Sequence, residues 1–461
     1  MPKNNPRRSE SLRGLLRSVE MFLEIVALTA VYYCVWSTYY DASYFQEKGI
    51  MVLLGLYAFI MLTLFQSSDC ANFSQLRCTD LITGQAIALF LTNCITYCQL
   101  CLIGSLLLNP MPILLLYCIQ FIISVVLVIF FTSLYYKLYA PRDLLLIYGD
   151  PRGARLKAKI DSRHDKYNIT QLISADVGFD ALCREIANHD AIILCDVSAE
   201  LRNNILKYCY HNRVRVYISP KLTDIVLRGA KNITLFDTPL LLVKSGGLNV
   251  YQRIMKRAMD LILGVLVLVV ITPVMAIIAV AIKLEDGGPV FYSQERLTLD
   301  GKEFQMLKFR SMIPDAEKYT GAILAAEQDP RITRVGRFIR ATRLDELPQI
   351  VNILKGEMSI VGPRPERKSI AEEYSKEIPE FAYRLKVKGG LTGYAQVYGK
   401  YNSTPYDKLR LDLMYVENYS LLLDIKLIIL TLRVIFSKES TEGVEVTDKH
   451  AQNVGETQHN G

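Results

Sequence analysis

The chain has 461 residues, 51% of them hydrophobic, and a mean hydropathy of +0.20, which excludes a purely soluble protein. Its net charge of +7 suits anionic lipid headgroups or phosphorylated substrates and gives no ground for nucleic acid as a partner. All ten cysteines lie at or before Cys209 and read as reduced thiols.

In the opening stretch Lys3, Arg7, Arg8, Arg13 and Arg17 stand against the single acid Glu10. Four apolar segments follow, at about 21 to 40, 50 to 66, 82 to 106 and 111 to 136, each fitting a bilayer, the second being short for a span. No small-residue cleavage site follows the first, so it reads as a retained anchor rather than a cleaved signal. Lys137, Arg142, Arg152 and Arg155 follow the fourth, which puts both ends of the set on the cytoplasmic side. Cys94, Cys98 and Cys101 reproduce a spacing of iron–sulfur ligands, but inside an apolar run they read as small packing residues.

After Pro141 the unbroken apolar runs give way to alternating blocks. "DLLLIYG", "ITQLIS", "AIILC" and "RVRVYIS" predict strands, with helix-like stretches between them, so a small parallel sheet of Rossmann-like type is expected over 141–248. Its first turn, "YGDPRGAR", has Gly149 and Gly153 where a dinucleotide fold carries three glycines, with Pro151 in the middle place. Tyr217 and Lys221 have the spacing of a short-chain dehydrogenase pair, yet Pro220 disfavours the helix that would align them. A regulatory or dimer-forming domain fits better, which leaves a homodimer open.

The third section, 249–437, begins with an apolar stretch from Met259 to Ile282, long enough to span. A crossing would put Arg253, Lys256 and Arg257 inside and Lys283, Arg296, Lys302, Lys308 and Arg310 outside, against the positive-inside rule. Pro273 removes the donor for the Val269 carbonyl, and the Thr272 hydroxyl is expected to substitute for it. A re-entrant helix over 254–283, bent at Thr272–Pro273, meets both difficulties; a kinked ordinary span is the alternative. "LLLDIKLIILTLRVIF" suits a helix lying in the interface.

Between Asn249 and Ser437 there is no histidine or cysteine, so chemistry there must use carboxylates, hydroxyls, lysine, arginine or metal. Arg331, Arg334, Arg337, Arg340 and Arg343 recur every third residue, a register that drifts around a helix. They form either a solvated basic face or a cationic wall able to grip phosphate. "ATRLDELPQI" then sets Asp345 beside Glu346. Leu347, Ile350, Val351 and Leu354 predict a helix that Gly356 ends, with Pro348 in its first turn and Asp345 near its N-cap. One reading is a capping acid and a solvated glutamate. The other makes Asp345 a nucleophile toward phosphorus and Glu346 a magnesium ligand that bridges diphosphate oxygens. "SIVGPRPE" brackets Arg364 with Pro363 and Pro365, a rigid setting for a phosphate clamp, and "KFRSM" and "GGLTGYAQVYGK" could complete a diphosphate site.

Together "KRAMDLILG", "FYSQERLTLDGKEFQMLKFRSM", "DPRITRVGRFIRATRLDELPQIVNILKGEMSIVGPRPE", "GLTGYAQVYG" and "YVENYSLLLDIK" closely resemble the bacterial sugar transferases, the polyprenyl-phosphate hexose-1-phosphate transferases, over about 250 to 437. The preceding spans and degenerate Rossmann-like domain make the chain similar to the large form that starts capsule or exopolysaccharide repeat units. The resemblance implies a two-step exchange. Asp345 takes hexose-1-phosphate from a UDP-hexose and releases UMP, and undecaprenyl phosphate then accepts the phosphosugar. It further implies that Glu346 holds Mg2+, that a proline-bent re-entrant helix anchors the domain in membrane lipid, and that Arg364 and the arginines before the acid pair meet substrate phosphates. Tyr419 stands where many relatives have tryptophan.

Lys308, Arg310, Arg331, Arg340, Arg343, Gln349 and Arg364 are the expected substrate-contacting set. The expected architecture is a membrane protein of α plus α/β type: a four-helix transmembrane bundle over 1–140, the parallel-sheet domain over 141–248, a mainly helical catalytic domain over 249–437, and a disordered tail over 438–461. Its expected location is the cytoplasmic face of the bacterial plasma membrane. A nicotinamide-dependent nucleotide-sugar modifying enzyme centred on 143–245 and a non-catalytic sensor of anionic ligands are the alternatives. An ordinary glycosyltransferase is disfavoured because the chain has no D-x-D motif.

Overall fold

The structure, a computed structural model, describes residues 6–40, 47–70, 76–105, 107–139, 141–150, 152–161, 167–243, 246–313, 329, 331–399 and 403–435. The tail over 438–461, Lys3, Pro151 and Lys400 lie outside the described residues. The chain divides into two compact units, Met1–Lys221 and Leu222–Gly461.

The first unit opens with α1 (Pro6–Tyr39), α2 (Glu47–Ser67), α3 (Cys78–Gly104) and α4 (Met111–Leu138), one for each expected span and each long and apolar enough to cross a membrane. Leu28, Tyr32 and Trp36 of α1, Tyr57 and Met61 of α2, Leu89 of α3 and Leu116 of α4 share one core. The outward faces carry exposed Phe22, Phe59 and Ile122, as lipid-facing helices do. Buried polar groups pair inside: Gln85 donates to Glu24 at 3.0 Å, and Gln120 accepts from Asn93 at 3.0 Å while donating to the Leu28 carbonyl at 2.9 Å. In an apolar surround such pairing avoids the cost of a bare polar group. Cys94 and Cys98 are exposed on α3.

A four-stranded parallel sheet follows, built from β1 (Arg142–Tyr148), β2 (Tyr167–Ser174), β3 (Ala191–Cys195) and β4 (Arg215–Ile218) in the order β2-β1-β3-β4. The intervening helices are α5 (Arg152–Asp161), α6 (Phe179–Ile186) and α7 (Ala199–Asn212). Leu145, Ile147 and Ile192 face Leu182 and Ile205, while Leu144, Leu146 and Ile193 face Leu156 and Ile160, so both sheet faces are covered. This is the expected strand and helix sequence. At the ends of β1 and β3, where such sheets bind nucleotides, the first turn is closed: Gly149 donates to the Cys195 carbonyl at 3.1 Å, and a Cβ on Gly149 would lie 2.6 Å from the Asp196 carbonyl oxygen. The glycine there serves close backbone packing. Tyr217 lies in β4, its hydroxyl accepting from Arg142 at 3.0 Å.

The second unit takes over at Leu222, so the segment expected to run to 248 is divided between the units. Its end forms α8 (Leu222–Arg228) and a hairpin of β5 (Lys231–Leu235) and β6 (Thr238–Leu242), and Ile225 packs with Leu409 and Leu413 of the second unit. Then come α9 (Val250–Asp286), the antiparallel pair β7 (Phe291–Leu297) and β8 (Glu303–Phe309), α10 (Arg334–Ala341), α11 (Gln349–Lys355), β9 (Ser359–Val361) and α12 (Lys368–Glu377). The unit closes with β10 (Gly390–Thr392), parallel to β9, and α13 (Tyr394–Tyr398), α14 (Pro405–Glu417) and α15 (Leu421–Ile435).

The apolar stretch of the third section is one helix of 37 residues, about 55 Å long at the usual rise, with a capping box at Asn249–Gln252 and left-handed Gly287 at its end. It continues through Pro273. The Thr272 hydroxyl bonds the Leu268 carbonyl at 2.6 Å and not the expected Val269, because on a helix a threonine hydroxyl reaches back four residues. The inner face of α9 meets its own unit at both ends and between. Lys256 pairs with Asp424 at 2.7 Å, and Arg257 caps the Ile353 and Leu354 carbonyls at 2.7 Å each. Asp260 accepts from Ser359 Oγ and Ile360 N at 3.0 Å each. Leu268 and Ile271 join the core of Phe304, Met306, Ile350 and Ile353; Ile278 and Ile282 join Phe309 and Ile339. Glu285 accepts from Arg334 N at 2.7 Å, capping α10. The outer face exposes Ile262, Leu266, Val269, Val270, Ile277 and Leu284.

Candidate active site

β8 buries Phe304 and Met306 against α11, and the next residue on that face is Lys308, where the apolar core ends. Asn352, buried in α11, fastens helix to strand: its Oδ1 accepts from Leu307 N at 3.0 Å and its Nδ2 donates to the Gln305 carbonyl at 2.8 Å. The amide thus takes the place of a neighbouring strand. What precedes α11 therefore stands at a fixed distance from Lys308.

That segment is a 3₁₀ turn, Leu344–Glu346, entered through Arg343 in the left-handed region at φ 56°. The N-cap of α11 is Pro348 and not a residue at Asp345, because Leu344 to Leu347 take i→i+3 bonds before the α-helix begins. Gly356 ends α11 as expected. Glu346 is locked. Its Oε1 accepts from Lys308 Nζ at 3.1 Å and from Arg364 Nη2 at 2.7 Å. Asp345 is not: its nearest cation is Lys308 at 3.9 Å, and no described residue donates a hydrogen bond to its carboxylate.

The two acids titrate in opposite directions. Burial pushes the Asp345 carboxyl above the usual carboxylate range, helped by the Glu346 charge and opposed by Lys308, Arg340 and Arg364. Burial acts on Glu346 too, but Arg364 and Lys308 outweigh it and hold that carboxyl far below the usual range. The result is a fixed anion next to a carboxylate held by little besides the chain.

Arg364 stands in a loop that is braced from behind. Arg384 donates to the Arg364 carbonyl at 3.0 Å and Arg296 to the Pro365 carbonyl at 3.2 Å, while Gly390 donates to the Pro363 carbonyl at 2.9 Å. A Cβ on Gly390 would fall 2.1 Å from Gly362 N, so "GGLTG" packs backbone on backbone beneath the loop. Burial lowers Arg296 to about 10, as expected for a guanidinium spent on structure.

The five regularly spaced arginines do not form one wall. Arg331 chelates Asp329 through Nε at 2.9 Å and Nη2 at 2.5 Å, Arg334 and Arg337 are exposed on α10, and Arg343 is exposed at the turn. Arg340 alone of the α10 arginines acts on Asp345 by its charge. Arg310 is buried and paired with Asp286 at the end of α9. Gln349 is buried, and its Nε2 donor has no partner among the described residues. The structure thus gathers Lys308, Asp345, Glu346 and Arg364, with Arg340 in electrostatic reach. Sequence reading missed Asn352, Arg296, Arg384 and Asp286; a buried asparagine inside an apolar helix was the one local signal available.

As oxygen donors Asp345 and Glu346 suit a hard divalent cation, which takes one or two carboxylates together with phosphate oxygens. Both protein cations lean on Glu346 Oε1, and no described residue bonds its other oxygen. Among the described residues no third acidic, histidine or cysteine ligand joins them.

Residues 251–438 match the bacterial sugar transferase family. The UDP-N-acetylgalactosamine-undecaprenyl-phosphate N-acetylgalactosaminephosphotransferase of Aeromonas hydrophila is 42% identical over 185 residues, 40% of this chain and 44% of that protein. The UDP-glucose:undecaprenyl-phosphate glucose-1-phosphate transferase of Escherichia coli K12 is 42% identical over 211 residues, 44% of this chain and 43% of that protein. A Bacillus subtilis protein, provisionally named an undecaprenyl-phosphate N-acetylgalactosaminyl 1-phosphate transferase, is 51% identical over 130 residues, 28% of this chain and 72% of its own length. The chain belongs to the bacterial sugar transferase family. Its match spans less than half the length of the first two relatives.

Proposed function

We propose that the chain transfers hexose-1-phosphate from a UDP-hexose to undecaprenyl phosphate at the cytoplasmic face of the bacterial plasma membrane, an opening step of capsule or exopolysaccharide synthesis. The observation that carries it is the asymmetry of the acid pair: Glu346 has two cationic partners on one oxygen, while no described residue donates a hydrogen bond to the Asp345 carboxylate. A carboxylate oxygen of Asp345 attacks the sugar-bearing phosphorus, the bond from that phosphorus to the bridging oxygen breaks, and UMP leaves. A phosphate oxygen of undecaprenyl phosphate then attacks the same phosphorus, forming undecaprenyl-diphospho-hexose and returning the Asp345 carboxylate. Lys308 and Arg364 face charge that builds on the phosphoryl oxygens, and Arg340 favours the ionised nucleophile. Glu346 would hold Mg2+, which would offset diphosphate charge. Arg343 and the Gln349 amide flank the turn, and Arg310 and Arg331 set the elements beside it by pairing with Asp286 and Asp329.

The membrane reading is that α9 enters and returns on one side, its outer face in lipid. Its inner face is in contact with Asp424, α11, β8 and α10 in turn. A straight crossing would carry β8 and α11, which pack against the middle of α9, into hydrocarbon together with the charged side chains beside them.

The test uses the full chain in lipid nanodiscs with UDP-glucose, UDP-galactose and UDP-N-acetylgalactosamine labelled in the β-phosphate. Wild type should move label into lipid and, without acceptor, onto protein. Asp345→Asn should lose both by at least about a thousandfold. Turnover retained in that variant would end the nucleophile assignment.

A further inference from the structure

The apolar helices of the first unit bury two acids that the chemistry above does not use. Glu20 and Glu24 lie one turn apart on α1, at 3% and 1% exposure. Glu24 reaches two other helices. Its Oε2 accepts from Gln85 Nε2 of α3 at 3.0 Å, and its Oε1 lies 3.1 Å from Ser124 Oγ of α4. Ser124 Oγ also makes a hydrogen-bond contact with Gln85 Oε1. The three side chains close a ring that joins α1, α3 and α4, and Gln85 and Ser124 are as deeply buried as Glu24.

A ring of three hydrogen bonds needs three protons. The Gln85 amide supplies one, to Glu24, and the Ser124 hydroxyl has a single proton for two neighbours. With Glu24 as a carboxylate the count stops at two. Either Glu24 Oε1 or Gln85 Oε1 then faces the Ser124 lone pairs with no proton between them, in an interior where solvent does not relieve the contact. A carboxylic acid supplies the missing proton: Glu24 donates to Ser124, Ser124 to Gln85, and Gln85 back to Glu24. Turning the Gln85 amide over reverses the ring and leaves the count unchanged.

The surrounding charges offer Glu24 no counter-ion. Among the described residues Glu20 is the charged group that acts on it, and Arg17 acts on Glu20 instead. From α3 and α4 it meets the neutral Gln85 and Ser124. Glu20 stands outside the ring, and its Oε2 has no partner among the described residues.

We infer that Glu24 is held as a neutral carboxylic acid, so that the bundle contains a proton-binding site whose single proton completes the contact of α1, α3 and α4. A closed polar ring of this kind fixes the register of three helices, whereas an ionised Glu24 would place an unpaired charge among apolar side chains.

The experiment records infrared spectra of the full chain in lipid nanodiscs at neutral pH, as the difference between unlabelled chain and chain carrying carboxyl-13C glutamate, which isolates the C=O stretch of protonated glutamate from lipid and amide bands. Wild type should show a protonated component that Glu24→Gln removes and Glu20→Gln retains. Ser124→Ala and Gln85→Leu each take away one ring partner and should shift that component without abolishing it, and they carry the test if Glu24→Gln fails to fold. A wild type with no protonated component, or one that Glu20→Gln removes and that neither Ser124→Ala nor Gln85→Leu moves, would overturn the site. Either result leaves the transfer reaction proposed above standing.

Discussion

Lys256 with Asp424 and Lys308 with the Asp345–Glu346 pair are both lysine–carboxylate clusters within one unit, and they are finished differently. In the first, Lys256 bonds Asp424 at 2.7 Å and the Tyr415 hydroxyl at 3.0 Å, and Tyr415 donates to the other Asp424 oxygen at 2.8 Å. Every polar group has a partner, and the cluster joins α9, α14 and α15. In the second, one carboxylate takes both cations and its neighbour is left short. A closed network of buried charge specifies a packing arrangement; an open one stores an interaction that a ligand can complete.

The contrast predicts crossed effects for two single-atom changes. Asp424→Asn strands the Lys256 charge in the interior and should cost about 3–5 kcal/mol of stability, with kcat per folded molecule little changed. Glu346→Gln should lower kcat by about a hundredfold or more while moving stability far less, since Lys308 and Arg364 remain at the edge of solvent. Denaturant unfolding and UMP release on the same preparations separate the two. If Asp424→Asn lost activity without losing stability, the closed cluster would have to be counted with the chemistry.

How much of this was legible depended on whether the cause was local. Four apolar helices, the strand–helix alternation of the sheet and the short helix Gln349–Lys355 that Gly356 ends follow from periodicity and breakers that act within a few residues. The acid pair before a proline was legible for the same reason. The partners of the arginines were not. Arg310 finds Asp286 and Arg384 finds the Arg364 loop only after the chain has folded, and in sequence a guanidinium that holds a protein carboxylate looks like one that holds phosphate. Asn352 was passed over because its pairing with β8 is a tertiary fact, and Gly149 and Gly390 looked like phosphate-loop glycines while serving close backbone approach.

The open cluster can be opened further by removing its lysine. Asp345 attacks only when ionised, and its raised carboxyl means that activity is lost on the acid side at a higher pH than an ordinary aspartate would give. Lys308 favours the ionised form, so Lys308→Gln removes a lowering influence and raises Asp345 again. The acid limb of kcat/KM against pH should therefore move up. Lys308→Arg, which keeps the charge, should leave the limb near its wild-type place. A limb that shifts down in Lys308→Gln would mean that the titrating group is not Asp345.

The smallest effect is expected at Pro273, although the sequence makes it the most conspicuous residue of α9. A proline bends a helix where nothing else holds it, by removing one hydrogen bond and crowding the preceding turn. Here α9 is held at both ends by its own unit, through Lys256, Arg257 and Asp260 near its start and through Glu285 and Asp286 at its finish. Those contacts fix where each end lies, whichever residue stands between them. Pro273→Ala restores a backbone donor to Val269 and leaves every clamp in place, so turnover should stay within about twofold and stability should rise or fall by less than roughly 1 kcal/mol. A cysteine placed at Leu284 should remain protected from an impermeant reagent added outside intact cells, in Pro273→Ala as in wild type. Labelling that appears only in Pro273→Ala would show that the proline, and not the clamps, sets the path of the helix.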